Sequence, residues 1–159
     1  MNRPLEILRT LADHEVEFIV VGGVAAVALG APVNTMDIDI VHTRAPENVT
    51  RLLAALHALD AHYRHRPELR PTESHLSSRG HQLLATRLGY LDVLGAIGKG
   101  HTYAGLLPHT VEIEFAPAFR CRVLDLETQI AIKEETGGEK DLAMLPILRR
   151  TLAERRRIK

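Results

Sequence analysis

A single cysteine, Cys121, leaves no partner for an intrachain disulfide and rules out a cysteine-rich zinc site, which suits a reducing compartment. Net charge is absent too. Lysine plus arginine and aspartate plus glutamate stand at 20 each, so no overall field advertises a nucleic-acid or membrane partner. The longest uncharged run, residues 18 to 36, is split by Gly22-Gly23, Gly30 and Pro32 and carries Asn34 and Thr35, which makes a poor membrane helix. The first seventeen residues hold Arg3, Glu6, Arg9, Asp13 and Glu15 and so lack the apolar centre of a signal peptide. Nine histidines include no HExxH pair, and His57, His62 and His65 straddle a helix end without zinc-binding spacing. There is no internal repeat and no low-complexity tract. The expectation is a soluble, cytoplasmic protein with no membrane partner.

What the chain does have is globular composition, 45% apolar and 25% charged, over 159 residues, enough for one domain spanning 1–159 with a real core. The most informative stretch runs from Phe18 to Val41. Phe18-Ile19-Val20-Val21 is the continuous apolar run of a strand buried on both faces, and it ends at Gly22-Gly23. The small residues from Val24 to Leu29 predict a short helix packed close to that strand, its first amides pointing out of the turn. Met36 to Val41 then alternates as a strand does, with Ile38 and Ile40 on one face and Asp37 and Asp39 together on the other.

Around this stretch the periodicities predict scaffold. Helices are expected at Pro4 to about His14, from Pro46 through Leu59, at Tyr103 to Leu107 with a stop at Pro108, at Leu126 to Glu135, and from Glu139 to about Arg156 with Leu142, Leu145, Leu148 and Leu152 inward and Pro146 as a potential kink. The segments 126–157 are expected to pack on the rest of the domain. Two hairpins are expected, Gln82 to Arg87 with Tyr90 to Leu94, and Val111 to Phe115 with Phe119 to Val123 at a sheet edge. Between Asp60 and His81 periodicity vanishes among Arg64, Arg66, Arg70, Arg79, His62, His65, His75 and His81. That segment reads as a long loop whose basic groups could grip RNA or a triphosphate, or simply be solvated.

Two acids sharing a strand face are what a divalent ion bound to phosphate requires, since Mg²⁺ takes hard oxygen ligands from a few carboxylates, phosphates and water. A third carboxylate on a neighbouring strand would complete a site for phosphoryl displacement, and Asp92 is the candidate. An isolated Asp-x-Asp is commonly solvated surface. Here it follows a glycine turn able to approach phosphates through bare amides, so turn, helix N-terminus and acids could converge on one triphosphate.

With those residues in view, Gly22-Gly23 followed by Thr35-Met36-Asp37-Ile38-Asp39 resembles the signature of the nucleotidyltransferase superfamily related to DNA polymerase β. LDVL around Asp92 resembles its third carboxylate strand. IAIKEETGGEKDLAML, with Lys133, Lys140 and Asp141, is similar to motifs of the AbiEii-type nucleotidyltransferase toxins of abortive-infection and toxin–antitoxin systems. The resemblance runs from about Phe18 to Leu148. It implies the minimal nucleotidyltransferase fold, an α+β (α/β two-layer) mixed β-sheet flanked by helices. It further implies Mg²⁺ (or Mn²⁺) held by Asp37, Asp39 and Asp92, with Asp92 assisting deprotonation of the attacking hydroxyl, and an NTP bound by Gly22, Gly23, Thr35 and Lys133. The transfer would be of NMP from that NTP to an RNA, notably a tRNA acceptor end, or to a protein hydroxyl, with a cognate antitoxin as a partner. The pattern departs at Val33, where the toxins carry arginine, and at Met144, where they carry a second acid. A catalytically silent module that binds nucleotide or partner on the same fold is the alternative.

Three other features have plainer readings. Gly95, Gly98 and Gly100 around Lys99 are not a Walker A loop, because Val93 and Gly100 stand where glycine and serine or threonine are needed. Lys99 is at most a phosphate contact on a surface loop. The cations Arg149, Arg150, Arg155, Arg156, Arg157 and Lys159 suit a helix C-terminus, and Cys121 is expected in the core.

Overall fold

In the computed structural model, β1 (Phe18–Val21) is an interior strand of a seven-stranded sheet, and its four residues are all buried, as their unbroken apolar run requires. Residues 2–35 and 37–158 are described. Met36, expected to open the second strand, and Lys159 of the C-terminal basic group lie outside the described residues. The elements follow in the order α1 (Pro4–Asp13), β1, α2 (Gly22–Ala28), β2 (Ile38–His42), α3 (Pro46–Ala58), β3 (His62–Tyr63) and α4 (Glu73–Leu76). Then come β4 (His81–Thr86), β5 (Gly89–Leu94), α5 (Tyr103–Leu106), a 3₁₀ turn (Leu107–His109), β6 (Thr110–Ala116), β7 (Phe119–Leu124), α6 (Leu126–Thr136) and α7 (Glu139–Ile158).

The strand order is β3-β4-β5-β2-β1-β7-β6. β1 runs antiparallel to β2 and parallel to β7, and β2 runs parallel to β5, so the sheet is mixed. The two hairpins, β4–β5 and β6–β7, are antiparallel as expected.

Alternation along the strands sorts the side chains onto two faces. Val20, Ile38, Ile40, Leu91, Val93 and Val123 enter the main core with Ile7, Leu8 and Leu11 of α1, Leu52 and Leu56 of α3, and Leu145 and Leu148 of α7. The opposite face buries a smaller set, Ile19, Val21, Val41, Leu94 and Leu124 against Leu106, with Ile97, Tyr103 and Ile132 packed beside it. That second face is lightly covered, and it is the face to which Asp39 and Asp92 point. Asn48, fully buried, joins α3 to the strand entrance by accepting from Glu17 N at 2.7 Å and donating to Glu17 O at 3.1 Å and Thr43 O at 2.9 Å. Cys121 lies in the core, and burial pushes its thiol up to about 12.

Three expectations are corrected. The 60–81 segment is not a plain loop. Tyr63 of β3 pairs with Leu84, and its hydroxyl donates to Gln82 Oε1 at 2.5 Å. The Thr72 hydroxyl caps the single turn of α4, while His75 Nδ1 accepts from Thr72 N at 3.0 Å. A two-residue strand and a one-turn helix are too short to show a period, so neither left a signal in the sequence.

Leu142 is 53% exposed and does not face inward. The buried seam of α7 runs through Leu145, Leu148 and Thr151, and at roughly 100° per residue Leu142 stands about 120° from its centre. Pro46 and Pro4 open helices as expected, but Pro108 sits inside the 3₁₀ turn that extends α5 rather than stopping it, because that tighter coil tolerates a residue without an N–H in its first positions. Pro146 lies inside α7, which runs unbroken from Glu139 to Ile158.

Candidate active site

The sheet register places the two acids side by side. Asp39 of β2 is the partner of Asp92 on the parallel neighbour β5, and it is also the partner of Val21, the last residue of β1. Strand alternation and one register therefore bring together residues far apart in the chain. Asp39 is largely buried, and its carboxyl is raised to about 7. Burial is the main cause, followed by the charge of Asp92, a hydrogen bond shared with Asp92, and the charge of Asp37, with Arg64 opposing them. The paired acids have Arg64 as the positive neighbour acting on them, so this is a site short of positive charge.

Asp37 stands one residue before β2 and is exposed, so it adds charge at the rim without joining the pair. Among the described residues, no three of His, Cys, Asp and Glu come close enough together to hold a metal ion.

Gly22 explains why the turn after β1 is bare. Its φ is +70°, and a Cβ there would collide with Oδ2 of Asp39. The backbone of the turn thus lies directly on the acid, and α2 starts at that glycine. A Cβ on Gly23 would fall 2.8 Å from Cγ2 of Thr35, which packs Thr35 against the first turn of α2. Gly22→Ala is expected to lose about 1–3 kcal/mol of stability from strain at this φ and to displace the Asp39 carboxylate. Urea unfolding reads the first effect and activity the second.

Lys133 and Asp141 come from helices joined by the Gly137-Gly138 turn, where Gly137 closes α6 with φ +64°. Lys133 Nζ lies 3.5 Å from Asp141 Oδ1. Asp141 is held below the usual carboxylate range, first by the Thr136 hydroxyl that donates to it and then by the Lys133 charge. Lys133, Thr136, Asp141, Gly22 and Asp39 line one cleft of about 210 Å³, whose apolar wall includes Leu94, Ile97 and Ile132. The cleft suits part of a nucleotide, since whole drug-sized ligands occupy roughly 300–1,000 Å³. A larger groove of about 530 Å³, between α3 and Arg70-Pro71, is lined mostly by apolar groups and contains no acid. The loop over the cleft is tied to α6 by Glu135, which accepts from Lys99 N at 2.9 Å and contacts His101 Nε2 at 2.9 Å.

Several residues singled out from the sequence fall in this region. Asp39, Asp92 and Gly22 meet at the sheet, Lys133 faces the same cleft, Gly23 and Thr35 flank the turn, and Asp37 lies at the rim. One residue was hidden within a group. Among the basic residues of the 60–81 segment it is Arg64 that reaches the acids, its Nη2 donating to Asp92 Oδ1 at 2.6 Å. No local pattern marks it, because the contact crosses from β3 to β5 through the pairing with β4.

The donor set fits a small hard cation. Mg²⁺ is ordinarily bound through one or two carboxylates together with substrate phosphates, and Asp39 with Asp92 supplies such a pair beside a bare glycine turn.

No protein-family profile matches the chain, and no curated protein does. Among solved structures the chain is similar to a protein of Thermotoga maritima whose crystal structure is described as that of a "putative nucleotidyltransferase", with a TM-score of 0.60 and 19% identity over 97% of this chain and 96% of that one. At this identity the likeness is one of fold, shared over nearly the full length of both chains. The mixed sheet flanked by helices agrees with the expected α+β minimal architecture.

Proposed function

We propose that the chain is a divalent-metal-dependent nucleotidyltransferase that moves NMP from an NTP to a hydroxyl acceptor, of the AbiEii toxin type. The observation that carries this reading is the in-register pair Asp39–Asp92 beside the bare turn at Gly22, with Asp39 and Gly22 lining one cleft with Lys133. Asp39 and Asp92 would hold Mg²⁺ (or Mn²⁺), with Asp37 at the edge of the same site, and the ion would neutralise charge on the triphosphate. Gly22, Gly23 and Thr35 form the turn that receives phosphates through backbone amides, and Lys133 meets their charge from α6. In the reaction the acceptor oxygen bonds to the α-phosphorus, the bond to the pyrophosphate oxygen breaks, and the acceptor proton passes to Asp92. Positioning and electrostatics supply most of the rate.

The toxin assignment rests on the motif from Ile130 to Leu145, whose Lys133 and Asp141 pair across the α6–α7 turn. It brings with it a tRNA or protein acceptor and a cognate antitoxin as proposed partners. Incubation with labelled NTPs, Mg²⁺ and total RNA or lysate tests the activity. Wild type should label an acceptor that Asp39→Ala leaves unlabelled, and equal or absent labelling by both removes the proposal.

Lys133→Ala should raise the KM for NTP about tenfold and change kcat less, since a phosphate contact present in the ground state acts on binding. Steady-state kinetics separates the two. The second reading, a silent nucleotide-binding module, draws on the ion pair between Arg64 and Asp92. It predicts saturable NTP binding without turnover.

A further inference from the structure

Arg64 is fixed from several directions. Its backbone N–H donates to Leu83 O at 3.0 Å, and its Nη2 donates both to Leu84 O at 3.1 Å and to Asp92 Oδ1 at 2.6 Å. Its guanidinium lies 4.0 Å from the centre of the Tyr90 ring. The side chains of Arg64 and Asp92 are only 17% and 21% exposed. Arg64 Nε is buried without a partner among the described residues, so the side chain gives up one hydrogen bond to keep this pose. Arginine suits such a place because its planar guanidinium can stack on a ring while one of its nitrogens bonds two oxygens, and an ammonium has no flat face to stack. Exposed ion pairs are mobile and worth little, whereas this one is half enclosed and braced by a strand carbonyl and a ring.

We propose that Arg64 is a positioning residue for Asp92 and the resident counter-charge of the acid pair: by holding Oδ1 it orients the Asp92 carboxylate beside Asp39, and a divalent ion binds there against its charge. The kinetic half of this proposal rests on the nucleotidyl-transfer reading, but the ion-binding half does not. Two effects of opposite sign follow. Without Arg64 the acids lack a positive neighbour, so the ion binds more tightly, by about tenfold. Asp92 also loses its fixed orientation, so kcat falls by about 10–100-fold. The KM for NTP stays within about twofold, because Arg64 does not line the cleft that holds Gly22, Lys133 and Asp141.

The test is a Mn²⁺ titration by calorimetry at about pH 8, with transfer kinetics in parallel, on wild type, Arg64→Ala and Arg64→Lys. Arg64→Ala should bind Mn²⁺ more tightly and turn over more slowly. Arg64→Lys keeps the charge without the braced geometry, so it should bind Mn²⁺ within about twofold of wild type and still be slow. A merely structural role would weaken ion binding and turnover together and lower the melting temperature of both variants. If Arg64→Ala does not fold, Arg64→Gln takes its place with the same expectation. Unchanged or weaker Mn²⁺ binding in the charge-removing variant overturns the proposal, as does a wild type that binds no Mn²⁺. If wild type transfers nothing, the assigned reaction fails while the titration still decides the role of Arg64.

Discussion

Asp39→Asn is expected to lower kcat for nucleotidyl transfer by at least about 10³-fold while leaving the fold intact. Asparagine matches the shape of aspartate, so β2 keeps its register against β1 and β5, and Gly22 keeps its close approach. What is lost is one of the two charges placed for the ion. Asp92→Asn should be almost as damaging, and it carries a second cost because it leaves the half-buried Arg64 guanidinium facing an amide. Asp37→Asn should cost only about tenfold, since Asp37 is exposed, precedes the strand and acts on the pair through its charge. The order Asp39, Asp92, Asp37 is therefore a property of the sheet geometry, and steady-state kinetics on the three variants reads it. Equal losses in all three would mean that Asp37 is an ion ligand of the same rank.

Asp39 should make the ion-free protein more stable at about pH 5 than at about pH 8, by at most about 3 kcal/mol, against an opposing contribution from His42, whose imidazolium burial disfavours. The sign follows from the direction of the shift. Asp39 has its carboxyl raised to about 7 from 3.8, so the folded state binds that proton more tightly than the unfolded chain. Its contribution is fully present below about pH 4 and is lost as pH rises through 7. Asp39→Asn should flatten this slope and unfold at higher urea than wild type at pH 8, even as it abolishes activity. Saturating Mg²⁺ should also flatten it, by supplying the missing positive charge and by binding only the folded state. Urea unfolding at the two pH values, with and without Mg²⁺, measures all of these. A slope between pH 5 and pH 8 that Asp39→Asn leaves unchanged would contradict this account of Asp39.

Much of this architecture could be read in advance because the informative signals are local. The buried run Phe18 to Val21, the alternation through Ile38 and Ile40 and the two hairpins each declare themselves within a short stretch of chain. The in-register meeting of Asp39 and Asp92 could be anticipated only as a pairing of candidate acids, because which strands adjoin is decided by packing. The 60–81 segment stayed opaque for a different reason. Its order comes from Tyr63 on Gln82, from the cap of Thr72 and His75, and from Arg64 reaching Asp92, which are contacts with no period. Leu142 misled because a leucine ladder read by eye does not say where a helix's buried seam begins. The seam of α7 starts at Leu145, after the turn that pairs Lys133 with Asp141.

The central claim is that this cleft transfers a nucleoside monophosphate, and the position of the label on the NTP tests it most directly. With Mg²⁺ and an acceptor-rich extract, label at the α-phosphate should appear on the acceptor, while label at the γ-phosphate should leave as pyrophosphate. Transfer of the γ label would contradict the account, and so would an α label that reaches no acceptor under any divalent ion.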